Sequence, residues 1–224
     1  LLCAAYGDGL IKLNLKKKKK TIYTTENGLP NNSVYYLFKD KSNNIWISTY
    51  EDGVYQLNGS VLNAKLDIKN KYNNTGKSNE IASNAVLAIN QDKKGNMWFA
   101  TTSGLSKLLA NNTFSNFYEK SGLPNSYLYS IVSDSLGQFW MSSNNGLIKF
   151  DPLTNEKDIN FKTFSVKDGL VNTEYNSGAA YFSNDGYICF GGTNGINIYR
   201  PSAIKNNNKL PKSFVISFKR GGNE

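Results

Sequence analysis

The sequence repeats one template at a fixed spacing. The 224 residues include three tryptophans, and each follows a short turn motif at the same distance along the chain. The pairs are Gly28-Leu29-Pro30 with Trp46, Glu80-Ile81-Ala82 with Trp98, and Gly122-Leu123-Pro124 with Trp140. A constant internal period is typical of folds in which each repeat buries its apolar face against its neighbours. The sequence therefore predicts a repeat architecture.

Alignment on the tryptophan position extends the repeat to five units, with Leu2 at that position in the first unit and Cys189 in the last. The units follow one another at about 40–50 residues, which is the period of four-stranded propeller blades. In each unit a β-prone run, the tryptophan strand and a third strand are joined by tight turns, and a more variable fourth strand follows. The second turn always ends in glycine, which tolerates a left-handed backbone: Gly9, Gly53, Gly104, Gly146 and Gly195.

This pattern predicts an all-β fold, a β-propeller whose blades each have four antiparallel strands. Because the first unit begins at its tryptophan strand, we expect an incomplete ring of about four to five blades. We assign residues 1–204 to the blades. The stretch 58–79 is expected to be a variable loop after the last strand of its blade, since loops absorb insertions that packed strands do not.

Composition removes several classes of function. Histidine is absent, which excludes Ser-His-Asp and Cys-His catalysis, His-ligated zinc and a histidine phosphoacceptor from this segment. The formal net charge of +9 includes the run Lys16–Lys20, which lacks arginine and interleaved aromatics and so favours a solvated loop over a nucleic-acid site.

Cys3 and Cys189 fit small buried residues better than a disulfide. We expect no cofactor and no metal. No apolar run reaches the ~20 residues of a membrane-spanning helix.

The repeated residues themselves are expected to be structural. The three tryptophans predict a core between blades, since a ligand site would need only one or two of them. An aspartate recurs in the turn before each tryptophan strand, and it favours turn capping over calcium binding because further acidic ligands are missing. These aspartates are Asp40, Asp92 and Asp134.

The turn after the tryptophan strand varies most between units. Loops on one face of a propeller commonly carry the binding site, so we take the polar and aromatic residues of this turn as candidate ligand-binding positions. They are Tyr6, Asp8, Tyr50, Glu51, Asp52, Asn144, Asn145 and Asn194. The alternative is that this variation is unselected surface. No catalytic residue is assigned, because the sequence shows neither a pair of carboxylates outside the turns nor a phosphate-binding loop.

The template resembles the two-component regulator propeller repeat. The best example runs from Gly28-Leu29-Pro30 through Asp40, Trp46 and Gly53 to Leu57. The last unit, around Gly191-Gly192, is similar to the final blade of sensor propellers of this family. The segment Phe214–Phe218 looks like the start of the β-sandwich ("three-tyrosine") domain that follows them, and the resemblance therefore assigns residues 205–224 to a linker and the start of that domain. The resemblance implies part of the periplasmic sensor region of a membrane-bound hybrid histidine kinase of the Bacteroides type, attached to the membrane only through downstream segments.

The resemblance also implies a function. We expect a non-enzymatic, ligand-sensing module that detects an oligosaccharide and regulates polysaccharide utilisation. Its expected partners are that ligand, the adjacent domains of the same sensor and a second copy in the full-length protein, but no nucleic acid. Two alternatives remain open: a scaffold propeller that binds another protein, and a propeller lyase or hydrolase. Lyases of the streptogramin type use a catalytic histidine, which this chain lacks.

Overall fold

The computed structural model describes residues 1–58, 66–171 and 173–204. In these residues five antiparallel sheets lie in a ring, each a propeller blade with strands in sequential order. Blade 1 has β1 (Leu2–Ala5), β2 (Gly9–Asn14) and β3 (Lys19–Tyr23), and blade 2 has β4 (Val34–Lys39), β5 (Ile45–Thr49), β6 (Val54–Leu57) and β7 (Ile68–Tyr72). Blade 3 has β8 (Val86–Gln91), β9 (Met97–Thr101), β10 (Gly104–Leu108) and β11 (Phe114–Phe117), and blade 4 has β12 (Leu128–Ser133), β13 (Phe139–Ser143), β14 (Gly146–Phe150) and β15 (Lys162–Phe164). Blade 5 has β16 (Tyr175–Phe182), β17 (Ile188–Gly192) and β18 (Gly195–Tyr199). Short 3-10 helices lie at Thr25–Asn27, Glu119–Ser121, Glu156–Asp158, Val166–Asp168 and Pro201–Ala203.

The predicted β-propeller is confirmed, with two corrections to its strands. Blade 5 has three strands among the described residues rather than four, whereas the three strands of blade 1 agree with a unit that begins at its tryptophan strand. The stretch 58–79, expected to be a loop, contains β7, the outer strand of blade 2. The sequence of β7 is mostly exposed and contains lysines, so it did not indicate a strand. An outer strand needs few apolar residues. The lysine run is likewise partly strand, since β3 begins at Lys19. The proposed following domain lies outside the described residues.

The core of the propeller lies between blades. Every residue of β5, β9 and β13 is buried, because the second strand of each of these blades is covered on both faces. The tryptophan of each strand stacks on the outer strand of its own blade and contacts the next blade. Trp46, for example, lies 6.0 Å from Tyr72 and 5.8 Å from Phe99 between ring centroids. Aromatic pairs at such distances add to the free energy gained by burying apolar area.

The recurring aspartates have a role beyond turn capping. In each four-stranded blade the aspartate accepts a hydrogen bond from the indole Nε1–H of the tryptophan six positions later. The same carboxylates also accept backbone N–H groups of their own turn. The carboxylate therefore ties the turn to the interblade core and satisfies a donor that burial would otherwise leave unpaired. The pairs are Asp40–Trp46 at 2.9 Å, Asp92–Trp98 at 3.1 Å and Asp134–Trp140 at 3.0 Å.

The second turn requires its glycine for two reasons. At Gly146 the backbone has φ +89°, and a Cβ atom there would lie 2.1 Å from the carbonyl oxygen of Phe164 on the outer strand. The hydroxyl of Ser143 donates to the carbonyl of Gly146 at 3.0 Å and closes the turn. The turn is therefore held tightly at the face of the ring where the candidate ligand-binding residues lie.

Candidate functional site

The inner strands begin, and the second strands end, at the same face of the ring, which we call the upper face. Its centre holds a cavity of about 780 Å³. Six tyrosines from blades 1, 2, 4 and 5 line this cavity, together with Ala4, Val34, Asn176 and Ser177. We call this set the tyrosine cavity: Tyr6, Tyr35, Tyr50, Tyr127, Tyr129 and Tyr175.

The tyrosine rings support one another. Tyr35 lies between Tyr6 and Tyr50, with ring centroids 6.0 Å and 5.7 Å away. Tyr127 and Tyr129 form a second pair at 4.8 Å. Contacts of this kind hold the rings in place, so the cavity presents ordered aromatic faces to a ligand.

Hydrogen bonds fix several hydroxyl groups at the cavity wall. The Tyr129 hydroxyl donates to Asn144 Oδ1 at 2.5 Å, and burial, followed by the nearby Glu174 carboxylate, raises the pKa of Tyr129. Burial, together with a hydrogen bond to Tyr50, raises the pKa of Tyr127 to about 12. These hydroxyls are therefore neutral at physiological pH and keep their ability to donate hydrogen bonds.

The cavity lining carries no cationic side chain. The nearby Glu174 carboxylate acts on Tyr129 of its wall. This differs from the chain as a whole, whose formal net charge is +9. An acidic ligand would meet electrostatic repulsion here. The arrangement of aromatic faces and neutral hydroxyls suits a neutral, polar, ring-shaped molecule.

The candidate positions chosen from the sequence divide into two groups. Tyr6 and Tyr50 line the cavity, and Asn144 orients Tyr129. Asp52 instead binds the Tyr55 hydroxyl and the Lys71 ammonium. The remaining positions are not among the residues that line the cavity: Asp8, Glu51, Asn145 and Asn194.

Four tyrosines of the cavity were not selected from the sequence. Tyr35, Tyr127, Tyr129 and Tyr175 lie at or just before the start of inner strands, where their β-prone character indicates strand rather than site. Tyrosines recur at this point in three units, and this recurrence was the signal that could have revealed them. Among the described residues, no group of three or more Cys, Asp or Glu side chains is placed to hold a metal ion, and no helix is both long and apolar enough to span a membrane.

A known family model matches two segments of this chain, which lie in blades 2 and 3. Residues 28–51 and 80–103 match the family model described as Two component regulator propeller. These two segments are similar to two component regulator propeller repeats. The resemblance predicted from the sequence is confirmed. Blade 4 lies outside the matched segments, yet it carries the same aspartate–tryptophan bond.

Solved structures similar to this propeller share its fold at low identity. The extracellular domain of a B. thetaiotaomicron protein assigned to a hybrid two component system is 20% identical, with a TM-score of 0.65 over 89% of this chain and 32% of that one. Virginiamycin B lyase from Staphylococcus aureus is 17% identical, with a TM-score of 0.62 over 92% and 64%. PorZ, a surface component of the type-IX secretion system of Porphyromonas gingivalis, is 13% identical, with a TM-score of 0.65 over 88% and 30%. The chain thus spans less than two thirds of each of these proteins. A search of curated protein sequences finds no match.

Proposed function

We propose that this chain is a ligand-sensing segment of the extracytoplasmic region of a hybrid two-component sensor kinase, and that its tyrosine cavity binds a neutral oligosaccharide. In this proposal the protein is periplasmic, binding is not followed by catalysis, and the signal passes through adjacent domains to regulate polysaccharide utilisation. The six-tyrosine wall is the observation that carries the ligand class, because sugar rings stack their C–H faces on aromatic rings while hydroxyls exchange hydrogen bonds.

The sensor assignment is supported by the regulator propeller repeats and by the likeness to extracellular domains of B. thetaiotaomicron. The lyase alternative has a comparable fold likeness. However, a variant of that lyase with one histidine replaced by alanine is described as catalytically inactive, and this chain has no histidine. Burial raises the pKa values of Tyr127, Tyr129 and Tyr175 in the tyrosine cavity, so these hydroxyls are poor general bases at neutral pH.

Calorimetric titration against a panel of neutral and acidic oligosaccharides tests the proposal. We expect at least one neutral oligosaccharide to bind and acidic ones to bind more weakly. Tyr50→Ala removes a ring from the cavity wall and should weaken binding about tenfold, whereas Tyr127→Phe removes only a hydroxyl and should weaken it several-fold. Tyr181→Ala is the matched control, since Tyr181 is 61% exposed and lies outside the cavity.

Two results would contradict the proposal. One is the absence of binding by every oligosaccharide, or binding that the cavity variants leave unchanged. The other is chemical conversion of the bound oligosaccharide, detected by chromatography after prolonged incubation with the protein. Co-purification of a protein partner that binds at the upper face, with no sugar binding, would favour the scaffold function instead.

A further inference from the structure

The lower face of the ring, opposite the tyrosine cavity, carries an exposed basic patch. The turns that join inner strands to second strands lie on this face, because the inner strands begin at the upper face. In blades 2 and 3 these turns present four exposed lysines, and in blade 4 the turn presents a leucine that is 70% exposed. Each of these blades packs against a described blade on either side. We call this set the basic turn patch: Lys39, Lys41, Lys93, Lys94 and Leu136.

The basic turn patch is continuous across the blade boundaries. The Lys41 ammonium of blade 2 donates to the carbonyl oxygen of Asp92 in blade 3 at 2.8 Å. The Lys93 side chain of blade 3 lies against the turn of blade 4, where a Cβ atom on Gly137 would come within 2.5 Å of Lys93 Cε. Leu136 directly precedes this glycine. The lysines and the exposed leucine therefore belong to one surface.

The carboxylates of the same three turns lie inside the protein. Asp40, Asp92 and Asp134 are 7%, 1% and 6% exposed, and each accepts a hydrogen bond from the tryptophan indole of its own blade. No other acidic residue occurs in these turns, which span 39–45, 91–97 and 133–139. Their exposed surface therefore presents lysines without accompanying carboxylates.

The hairpin between β2 and β3 adds a second basic element to the lower face. β2 runs from the upper to the lower face, so the turn after it lies on the same side as the basic turn patch. Leu15 in this turn is 71% exposed, and the exposed residues Lys16, Lys17 and Lys18 follow it. A single exposed leucine is ordinary. Here two of them lie in turns of one face, each near exposed lysines.

We propose that the lower face docks on an anionic lipid bilayer. The lysines of the basic turn patch and of the β2–β3 hairpin would lie against the phosphate headgroups, and each adds electrostatic attraction. Leu15 and Leu136 would leave water for the interfacial region of the bilayer. A soluble polyanion would attract the lysines as well but would bury neither leucine, so the leucines favour the bilayer. This orientation leaves the tyrosine cavity open to solvent, and the inference does not depend on the proposed ligand.

Co-sedimentation with lipid vesicles tests the electrostatic part of the proposal. We expect the chain to bind vesicles that contain phosphatidylglycerol but not vesicles of phosphatidylcholine alone, and added salt should weaken the binding. Lys93→Glu combined with Lys94→Glu should weaken it at least about tenfold. The matched control is Lys120→Glu combined with Lys167→Glu, which makes the same change in net charge at two exposed lysines of the upper face. This control should stay within about threefold of the wild type.

The leucine part of the proposal separates a bilayer from a soluble polyanion. Leu136→Ser should weaken vesicle binding several-fold and leave binding to dextran sulfate unchanged. Val166→Ser, at a valine of the upper face that is 54% exposed, should change neither. Leu136→Cys, labelled with an environment-sensitive fluorophore after Cys3 and Cys189 are replaced by serine, provides a direct readout. Its emission should shift to the blue with anionic vesicles and not with dextran sulfate, whereas labelled Val166→Cys should shift with neither.

Three results would overturn the proposal. The first is the absence of binding to anionic vesicles at low salt, and the second is equal binding to neutral and anionic vesicles. The third is binding to anionic vesicles without a blue shift at position 136, together with equally tight binding to dextran sulfate. That third result would assign the lower face to a soluble polyanion or an acidic protein instead.

Discussion

Removal of the Asp40 carboxylate is the most direct test of how the template is stabilised. Asp40 is 7% exposed. Its oxygens accept hydrogen bonds from Asn44 N at 2.8 Å, from Asn44 Nδ2 at 2.9 Å and from Trp46 Nε1 at 2.9 Å. Asp40→Ala removes all three and leaves the indole N–H of Trp46 buried without this acceptor.

The magnitude follows from those contacts. A hydrogen bond to a charged group contributes about 1.5–3 kcal/mol, and an unsatisfied buried donor costs about 1–3 kcal/mol. The three bonds share one carboxylate, and water can reach Asn44 in the variant, so their contributions are not additive. We therefore expect Asp40→Ala to lower the free energy of unfolding by about 3–4 kcal/mol. Asp40→Asn keeps the shape but accepts on one oxygen only, and should cost about half as much.

The pH dependence provides a second check. Burial alone would raise the pKa of Asp40, but the hydrogen bonds from Trp46 and Asn44 outweigh it and hold the pKa below its usual value of 3.8. A lowered pKa in the folded state stabilises the protein above pH 4 or so, and this contribution is lost as the pH falls through the folded-state pKa. The difference in stability between wild type and Asp40→Ala should therefore shrink in acid.

Chemical denaturation followed by tryptophan fluorescence measures these differences. Asp185→Ala is the control, since Asp185 lies in the corresponding turn of blade 5, where no tryptophan follows, and it should change the free energy of unfolding by no more than about 0.5 kcal/mol. A loss below about 1 kcal/mol for Asp40→Ala, or an equal loss at neutral and acid pH, would refute the view that the carboxylate anchors Trp46.

Two further predictions concern the turns and the buried tyrosines. Gly146→Ala should lower the free energy of unfolding by about 3 kcal/mol, because it combines a left-handed backbone with a clash at 2.1 Å between the new Cβ and a backbone carbonyl oxygen. Gly186→Ala, at φ +87° with open space around it, should lower it by only about 1 kcal/mol. Thermal unfolding of the two variants measures this difference, and equal losses would disprove the role of the clash. Tyr175 has its pKa raised by burial to about 12, so its contribution to stability is complete below pH 10 and is lost between pH 10 and pH 12. The wild type should therefore lose stability more steeply than Tyr175→Phe over that range in denaturant titrations, and parallel curves would contradict the assignment.

Much of the propeller could be predicted because its determinants are local. The turn glycines, the alternation of strand residues and the constant position of tryptophan place the inner three strands of each blade. The outer strand β7 was missed because its residues Ile68–Tyr72 carry little apolar signal, and its place is set by pairing with Val54–Leu57. The indole bonds of the aspartates were missed for a different reason: the sequence shows the spacing but not the direction of a side chain.

The repeat, its five units and the residues that pack them follow from the sequence alone, since each of these depends on short-range periodicity. Which tyrosines meet depends instead on the tertiary structure. Tyr6 and Tyr175 come from opposite ends of the chain and line one cavity because the ring brings blades 1, 2, 4 and 5 around one axis. The tertiary structure likewise places Trp46 against Phe99 of the next blade, a contact between repeats that neither repeat shows by itself. Burial depends on whether a neighbouring blade is present, and a single repeat carries no record of its neighbours.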